Sequence, residues 1–373
     1  MDSQKKLELL ADAGRYDLAC ACGTEKGDDR RKRGAENQAW LYPVTLPNGG
    51  SGIMLKTLLS SSCAGDCGYC PLRAGSDAVR RCTLGADELA RLFLEYNRRR
   101  RLLGLFVSSG VIRDPDHTME RLIGVAKVLR RKYAYYGYIH LKVIPGASDA
   151  AIEEAISLVN AVSVNIETPN AAHCARLSSR KNWRTDIMRP IETIHRSILS
   201  QKSRKRVKQT TQFVVGAADE SDREIVGKSF ELYNRLEMQR IYFSAYQKGA
   251  GDPRIPGEAR RGGDLLTREH RLYQSDFLIR RYGFGEKDIL FGKDGNLSLA
   301  NDPKQCWADA NPGFFPLHAR KAERWQLLRV PGIGPTTVER ILKFRRETTL
   351  RDITDVGVKG KRANLAAKYL EFS

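Results

Sequence analysis

Short apolar runs alternate with amphipathic stretches between residues 50 and 250. The apolar runs predict strands at residues 53–59, 103–108, 138–143, 162–166, 212–215 and 241–245. The amphipathic stretches predict helices at residues 86–99, 119–132, 150–159, 185–200 and 224–236. Six strand-then-helix units in succession predict an α/β fold, a parallel sheet closed or partly closed into a TIM-like (β/α)6 barrel. Such folds bind ligands at the carboxyl ends of their strands.

The regions around this barrel predict the rest of the domain organisation. A helix over residues 3–13 and a charged loop over 24–38 form a first segment, 1–49, before the barrel core of 50–250. A Gly-, Pro- and Arg-rich loop at 247–262, a helix at 264–282 and a loop around 292–316 predict a barrel extension and linker over 251–316. Residues 317–373 are basic and helical in pattern and predict a small all-α domain.

Composition indicates a folded basic protein. The 373 residues are 41% hydrophobic and carry a formal charge of +19, which favours a polyanionic partner, most often nucleic acid. A merely soluble basic protein is the alternative that charge alone leaves open. No apolar stretch approaches the length of a membrane span, and the first residues lack a secretion signal. Eight cysteines without such a signal predict reduced thiols or metal ligands in the cytoplasm.

Three cysteines follow directly after the first predicted barrel strand. Cys63, Cys67 and Cys70 have C-x3-C-x2-C spacing, which wraps a short loop so that three thiolates converge on one iron–sulfur cluster. Three protein ligands leave one iron of a four-iron cluster open for a substrate or cofactor. Structural zinc is the alternative, although it needs a fourth ligand and no Cys or His follows closely.

This cysteine loop resembles the radical S-adenosylmethionine (SAM) superfamily, whose motif is C-x3-C-x-aromatic-C with Tyr69 at the aromatic position. The resemblance implies a [4Fe-4S] cluster whose open iron is chelated by SAM, with Tyr69 beside the adenine. It further implies reductive cleavage of SAM to methionine and a 5′-deoxyadenosyl radical, and therefore an electron donor such as flavodoxin or ferredoxin.

Later segments extend the resemblance along the barrel. Ser108, Ser109 and Gly110 stand where most members have a Gly-Gly-Glu turn that binds the SAM amino group. The sequence Asn165-Ile-Glu167-Thr168 is similar to the ribose-binding Asn-Leu-Asp-Thr of biotin synthase, and Arg180 follows at the distance of a SAM-contacting arginine in that enzyme. Residues 214–220, including Val215, resemble a turn that flanks the adenine. Taken singly, each residue also fits a helix cap, a strand end or a solvated surface group.

The other five cysteines are Cys20, Cys22, Cys82, Cys174 and Cys306. We interpret them as small buried residues or free thiols, with an auxiliary cluster as the alternative. The six histidines show no metal-binding spacing.

A second motif lies in the basic tail. An apolar helix pattern ends at Val330, Pro331-Gly332-Ile333-Gly334 predicts a tight turn, and Pro335 opens another helix. The motif resembles the helix-hairpin-helix, which grips the DNA backbone with little base readout. Arg340 adds charge nearby, and the predicted nucleic-acid contacts are Arg329, Gly332, Ile333, Gly334, Thr336, Thr337, Lys343, Arg345 and Arg346.

Two further basic segments allow more than one interpretation of their role. Residues 353–363 predict a degenerate second hairpin, although a protein–protein helical module remains an alternative for the whole tail. The basic run at residues 202–208 fits a nucleic-acid contact or a solvated helix end equally well.

The full architecture resembles a family of radical SAM proteins assigned to DNA modification or repair. Its opening pattern is matched at residues 6–17, and a later region is matched at 299–304. The resemblance implies an enzyme acting on a base or sugar of DNA. An RNA-modifying enzyme and a non-catalytic iron–sulfur DNA-binding protein are the alternatives. Neither the substrate atom nor the oligomeric state is predicted.

Overall fold

The computed structural model of the chain describes residues 1–15, 40–45, 50–200, 207–249, 251–259 and 264–372. The predicted loop at 24–38, Cys20, Cys22 and most of the basic run at 202–208 lie outside these residues. Within the described ranges, no helix is long and apolar enough to cross a membrane.

A curled seven-stranded sheet forms the centre of the fold, and its strands follow one another in chain order. The strands are β1 (Leu41–Thr45), β2 (Ser51–Leu58), β3 (Gly104–Ser108), β4 (Tyr138–Lys142), β5 (Ala161–Ser163), β6 (Lys208–Val215) and β7 (Arg240–Ala245). Strands β2 to β7 run parallel, so the predicted partial (β/α)6 barrel is confirmed. The sequence pattern missed β1, an antiparallel edge strand that pairs with β2.

Helices connect the strands. They are α1 (Ser3–Gly14), α2 (Ala86–Arg100), α3 (Pro115–Lys127), α4 (Asp149–Leu158), α5 (Ala171–Leu177), α6 (Arg189–Ser200), α7 (Asp222–Leu236), α8 (Pro256–Ala259) and α9 (Leu265–Tyr282). The third helix begins four residues before the predicted start, because the Asp114 carboxylate accepts from the His117 amide and Pro115 occupies the first helical position.

The two faces of the sheet differ in chemistry. Side chains on one face are apolar and fully buried, as Leu105, Ile139 and Leu141 illustrate. Side chains that alternate with them, such as Lys142 and Gln212, line the opposite, concave face. The barrel therefore has an apolar outer layer beneath its helices and a concave face on which polar side chains alternate with apolar ones such as Leu58 and Val214.

Contacts divide the chain into two compact units: Met1–Glu220 with Glu231–Glu269, and Ser221–Phe230 with His270–Ser373. The first unit holds the sheet. The predicted four-part division of the chain remains a prediction.

The second unit is mainly helical. It contains α10 (Pro303–Ala310), α11 (Arg324–Arg329), α12 (Pro335–Glu347) and α13 (Lys361–Ala367), with a short parallel pair of β8 (Leu317–His318) and β9 (Leu370–Glu371). The helix α10 lies where the sequence predicts a loop. It forms because the Asp302 carboxylate caps the amides of Lys304 and Gln305, and because Pro303 fits the first helical position.

Candidate active site and nucleic-acid interface

The cysteine loop follows β2 and is fastened from both sides. Arg81 donates to the carbonyl oxygens of Ser61 and Leu72 at 2.6 and 2.8 Å. On the other side, the Asp66 carboxylate accepts from the Ser179 amide at 2.8 Å and from its hydroxyl at 2.7 Å. The loop is therefore held in one conformation by groups that lie up to 113 residues away in the chain.

The environment of the thiols fits a bound iron–sulfur cluster. The sulfur of Cys63 accepts from the amides of Gly65 and Val111 at 3.3 and 3.4 Å, and N–H donors of this kind stabilise cluster thiolates. A Cβ on Gly65 would lie 3.3 Å from the Cys63 sulfur and 3.8 Å from the Cys67 sulfur. Glycine at this position therefore leaves the space between the two sulfurs clear.

Two of the three thiols, those of Cys67 and Cys70, have raised pKa values. Burial raises the pKa of Cys70 to about 12, and the neighbouring Cys67 adds to the effect. Burial likewise raises the pKa of Cys67, against the influence of Lys181, which hydrogen-bonds its sulfur. Cluster binding at these residues would therefore release protons.

A single metal ion has no comparable position. Among the described residues, no group of three or more His, Cys, Asp or Glu side chains is arranged to hold one ion. A cubane cluster binds each thiolate through a different iron, so it does not need the sulfurs to meet at one point.

A carboxylate lies beside the cysteine loop. The Tyr69 hydroxyl donates to Glu167 at 2.6 Å, and the Asn165 amide lies 3.5 Å from the other carboxylate oxygen. Glu167 has a φ of 62°, an unfavourable value for a residue with a side chain, and its backbone is held by Gln212 and Val214 of β6. Burial and the Glu167 carboxylate raise the pKa of Tyr69, so its proton stays on this hydrogen bond.

These groups line a cavity of about 150 Å³ at the carboxyl ends of the strands. Most of the predicted cofactor-binding residues line it: Cys63, Cys67, Tyr69, Cys70, Ser108, Ser109, Gly110, Asn165 and Glu167. The structure thus brings together segments that are up to 104 residues apart in the sequence.

Arg180 and Val215 do not line this cavity. Arg180 is exposed and donates to the Ala64 carbonyl at 2.9 Å, so it supports the cysteine loop from outside. Val215 is fully buried in the sheet. Lys181 lines the cavity instead, one residue after the predicted arginine, because the chain after α5 turns its next side chain inward.

The remaining described cysteines do not line this cavity. Cys174 is buried in α5, where burial raises its pKa to about 11, and the Cys82 thiol points at the Lys6 carbonyl oxygen 3.7 Å away. Cys306 lies in α10, in the other compact unit.

In the second unit, the turn between α11 and α12 depends on one glycine. Gly332 has a φ of +80°, and a Cβ there would lie 2.9 Å from the Arg362 carbonyl oxygen. Gly334 has an extended conformation with a φ of −116°, which any residue adopts. The close approach and the unusual backbone angle therefore belong to Gly332, and Pro335 begins α12 as predicted.

The two predicted hairpin turns share one pocket. A cavity of about 390 Å³ is lined by Gly332, Gly334, Pro335, Thr336, Thr337, Arg340, Gly357, Val358, Lys359 and Arg362. It contains three cations and adjoins the N-terminal end of the 13-residue helix α12. Such a combination suits a phosphate group.

Several predicted nucleic-acid contacts lie elsewhere. Arg329 is buried, with its guanidinium 3.8 Å from the centre of the Phe284 ring and 2.9 Å from the Asp288 carboxylate. Ile333 is part of the hydrophobic core of this unit. These two side chains stabilise the unit and are not available to a phosphate.

The last-turn cations of α12 are also distant from the pocket. Arg345 donates to the carbonyl oxygens of Ala319 and Ala322 at 3.2 and 2.7 Å, while Lys343 and Arg346 are exposed. Arg345 and Arg346 lie ten and eleven residues after Pro335, about 15–17 Å along the helix axis. Arg340, which the sequence analysis places near the motif, lines the pocket together with Lys359 and Arg362.

No family model and no curated protein matches this chain. Among solved structures, the fold is similar to methylornithine synthase, with 11% identity, 61% of each chain covered and a TM-score of 0.47. It is also similar to SuiB of Streptococcus suis bound to S-adenosylmethionine (13% identity, 61% of this chain and 44% of that chain, TM-score 0.43). A radical SAM methyltransferase from Sphaerobacter thermophilus shares 14% identity over 63% of this chain and 74% of its own (TM-score 0.43).

The chain spans about three fifths of the length of methylornithine synthase. The architecture of the present chain is a partial barrel, which is the fold class that the sequence predicts. Its three-cysteine loop follows the first parallel strand.

Proposed function

We propose that this chain is a radical SAM enzyme that modifies or repairs a base or sugar of DNA. The observation that carries the DNA assignment is the pocket in which two glycine turns, the first turn of α12 and three cations meet. The observation that supports the chemistry is the cavity lined by three thiols, Glu167 and Tyr69. Both lie in one chain with a formal charge of +19.

In this proposal, each group at the barrel mouth has a binding role. Cys63, Cys67 and Cys70 hold the cluster, and the Ser108–Gly110 turn contacts the amino group of SAM. The Glu167 carboxylate, already oriented by Tyr69 and Asn165, accepts hydrogen bonds from the ribose hydroxyls. When bound, the reduced cluster supplies the electron that converts SAM to methionine and a 5′-deoxyadenosyl radical.

In the other unit, backbone amides and cations grip the DNA backbone. The amides after Gly332 point to a phosphate at the start of α12, where the helix dipole favours an anion. Thr336 and Thr337 add hydroxyl donors, while Arg340, Lys359 and Arg362 add charge. Backbone contacts of this type give strong salt dependence and little sequence preference.

The electron donor in this proposal is a flavodoxin or ferredoxin, and the reaction takes place in the cytoplasm.

The test is anaerobic incubation of the reconstituted full chain with SAM and dithionite, in the presence of duplex DNA, single-stranded DNA or structured RNA. We expect 5′-deoxyadenosine together with a mass change in a nucleoside from one of the DNA substrates. A changed nucleoside only in RNA would make this an RNA-modifying enzyme. Absence of 5′-deoxyadenosine in every reaction would leave a non-catalytic iron–sulfur DNA-binding protein.

A further inference from the structure

One tryptophan of the second unit is exposed to solvent. Trp325 lies in the first turn of α11, and 50% of its surface is accessible. The other three tryptophans of the chain, all among the described residues, are buried or half-buried. A single exposed apolar residue is common on proteins, so the surroundings of this ring decide whether it is a binding surface.

The indole ring of Trp325 is held in one orientation. Its N–H donates to the Glu323 carboxylate at 2.6 Å, and the centre of the Phe314 ring lies 5.8 Å from its own. Phe314 in turn packs edge-on against the buried Trp307, with 5.2 Å between the ring centres. The polar atom of the indole is thus engaged within the protein, so the ring offers a ligand its π surface. A ring that is fixed before binding loses little conformational entropy when a flat ligand stacks on it.

The space beside these rings is open. We call Trp325 and Phe314 the aromatic platform. Gly313 directly precedes Phe314, and a Cβ on Gly313 would meet no atom within 4 Å. Pro312 and Gly313 are themselves exposed. A flat group can therefore approach the platform without displacing a side chain from this loop.

The segment that leads into the platform is positively charged. Residues 317–325 contain three cations, all exposed, and a single carboxylate, that of Glu323. One of the cations, Arg320, donates to the Leu350 carbonyl oxygen at 3.1 Å, an acceptor without a charge. Beneath the same segment, Arg345 donates to two backbone carbonyl oxygens. Aromatic rings among excess cations are typical of sites for unpaired nucleic acid, where bases stack on the rings and cations attract the phosphates.

The platform and the pocket lined by Gly332 and Arg340, proposed above to hold a DNA phosphate, belong to the same compact unit. Trp325 precedes Gly332 by seven residues, so their Cα atoms are at most about 25 Å apart. Successive nucleotides of one DNA strand are about 3.4 Å apart along the helix axis. A strand whose backbone is held at the pocket can therefore reach the platform within about seven nucleotides.

We propose that the aromatic platform stacks one unpaired base of a DNA strand whose backbone is held at this pocket. The inference rests on the proposed function for the identity of the strand as DNA. Phosphate contacts do not distinguish a paired base from an unpaired one, whereas only a base that has left the duplex stack can lie on an exposed ring. The platform therefore directs the chain to DNA in which a base is already unpaired, as at a bulge.

The experiment compares binding of the reconstituted full chain to two duplexes that differ by one base. Both carry a single bulged nucleotide, which has its base in the first duplex and is abasic in the second, so the number of phosphates is the same. We expect the first duplex to bind at least about fivefold more tightly, the contribution of one stacked base. Equal binding of the two duplexes by the unaltered protein would overturn the proposal.

Variants of the exposed ring assign this preference to the platform. Trp325→Ala should abolish it, and Trp325→Phe should retain part of it because a smaller ring remains. Phe277→Ala is the matched control, since Phe277 is 45% exposed in the same compact unit but lies on α9. This variant should discriminate between the duplexes as the unaltered protein does. An undiminished preference in Trp325→Ala would contradict the stacking role.

A salt series separates stacking from a disturbed phosphate pocket. Stacking releases no counterions, so Trp325→Ala should weaken binding to the base-bearing duplex by the same factor at every salt concentration. A changed slope of log affinity against log salt in this variant would show lost phosphate contacts and would contradict the proposal.

Failure of the proposed function is read separately. A modified DNA nucleoside without any preference for the base-bearing bulge retains the proposed function and removes the stacking site. A Trp325-dependent preference without a change in any DNA nucleoside retains the stacking site and removes the reaction on DNA.

Discussion

The ammonium of Lys304 lies 2.5 Å from the carbonyl oxygen of Ile333, inside the turn that joins α11 to α12. The lysine is buried, and its ammonium also lies 4.8 Å from the centre of the Tyr282 ring. Burial lowers the pKa of Lys304 to about 7, and Arg329 contributes in the same direction. A side chain from α10 thus satisfies the Ile333 carbonyl of a turn whose glycines, Gly332 and Gly334, line the pocket next to α12.

This pairing predicts that stability rises with pH above neutrality. Between pH 7 and about 10.4, the lysine is protonated in the unfolded chain but largely neutral in the folded one. The unfolded state therefore binds more protons, so the free energy of unfolding increases with pH across this window. The measurement is urea-induced unfolding of the unaltered protein and of Lys304→Met at several pH values from 7 to 9.5. The free energy of unfolding should rise more steeply with pH in the unaltered protein than in the variant. Parallel curves would contradict the buried titration of Lys304.

The two glycines of the turn should respond differently to substitution. Gly332→Ala forces a side chain into a positive φ and against the Arg362 carbonyl, which we expect to cost about 1–3 kcal/mol and to weaken DNA binding. Gly334→Ala should have the smaller effect, because its backbone is extended and its Cβ would meet only the Tyr282 hydroxyl at 3.1 Å. Urea unfolding and DNA titration of both variants measure this difference. A larger loss in Gly334→Ala would show that the turn changes its conformation on binding.

The pocket lined by Gly332, Arg340 and Arg362, proposed above to bind a DNA phosphate, predicts which arginines set the salt dependence of DNA binding. Arg340→Gln should lower the slope of log affinity against log salt by about 0.9, as expected for the loss of one phosphate contact. Arg346→Gln removes the same charge from an exposed residue of the same helix, but about 9 Å farther along the axis and outside the pocket. It should change the slope much less. Equal effects in the two variants would indicate that the last turn of α12 also contacts the backbone.

Sequence patterns predicted what depends on neighbours in the chain. The six parallel strands follow from short apolar runs, and the cysteine loop follows from ligand spacing after one of them. The edge strand β1 was missed because Pro43 interrupts a five-residue run, and edge strands tolerate proline. Helix α10 had a recognisable start at Asp302-Pro303, although a helix of eight residues shows little periodicity.

The direction of individual side chains was harder to predict. Lys181 enters the cavity while Arg180 supports the loop from outside, a difference of one residue that spacing does not resolve. Arg329 was counted as surface charge, yet Phe284 and Trp307 surround its guanidinium. Both outcomes depend on contacts with residues distant in the sequence.

The cluster assignment predicts the iron content of the variants. Reconstituted protein should hold about four irons per chain, and replacing Cys63, Cys67 and Cys70 together by Ala should remove them. The double variant Cys82→Ala and Cys174→Ala is the matched control and should keep the full iron content, since neither thiol lines the cavity. Iron analysis and visible absorption measure both. A full iron content in the triple variant would show that other cysteines hold the cluster.

The hydrogen bond between Tyr69 and Glu167 predicts a graded effect on SAM binding. Glu167→Gln keeps the shape of the side chain but replaces a carboxylate, whose two oxygens would accept hydrogen bonds from the ribose hydroxyls, by a neutral amide. SAM binding should therefore weaken by about 1–3 kcal/mol. Tyr69→Phe keeps the ring and loses only the 2.6 Å hydrogen bond that orients Glu167, so its loss should be nearer 1 kcal/mol. Glu154→Gln, a surface carboxylate paired with Lys127, should bind SAM like the unaltered protein. Calorimetry with the reconstituted proteins ranks the three. If Glu167→Gln binds SAM as tightly as Glu154→Gln, the ribose lies elsewhere in the cavity, even where cleavage to 5′-deoxyadenosine still occurs.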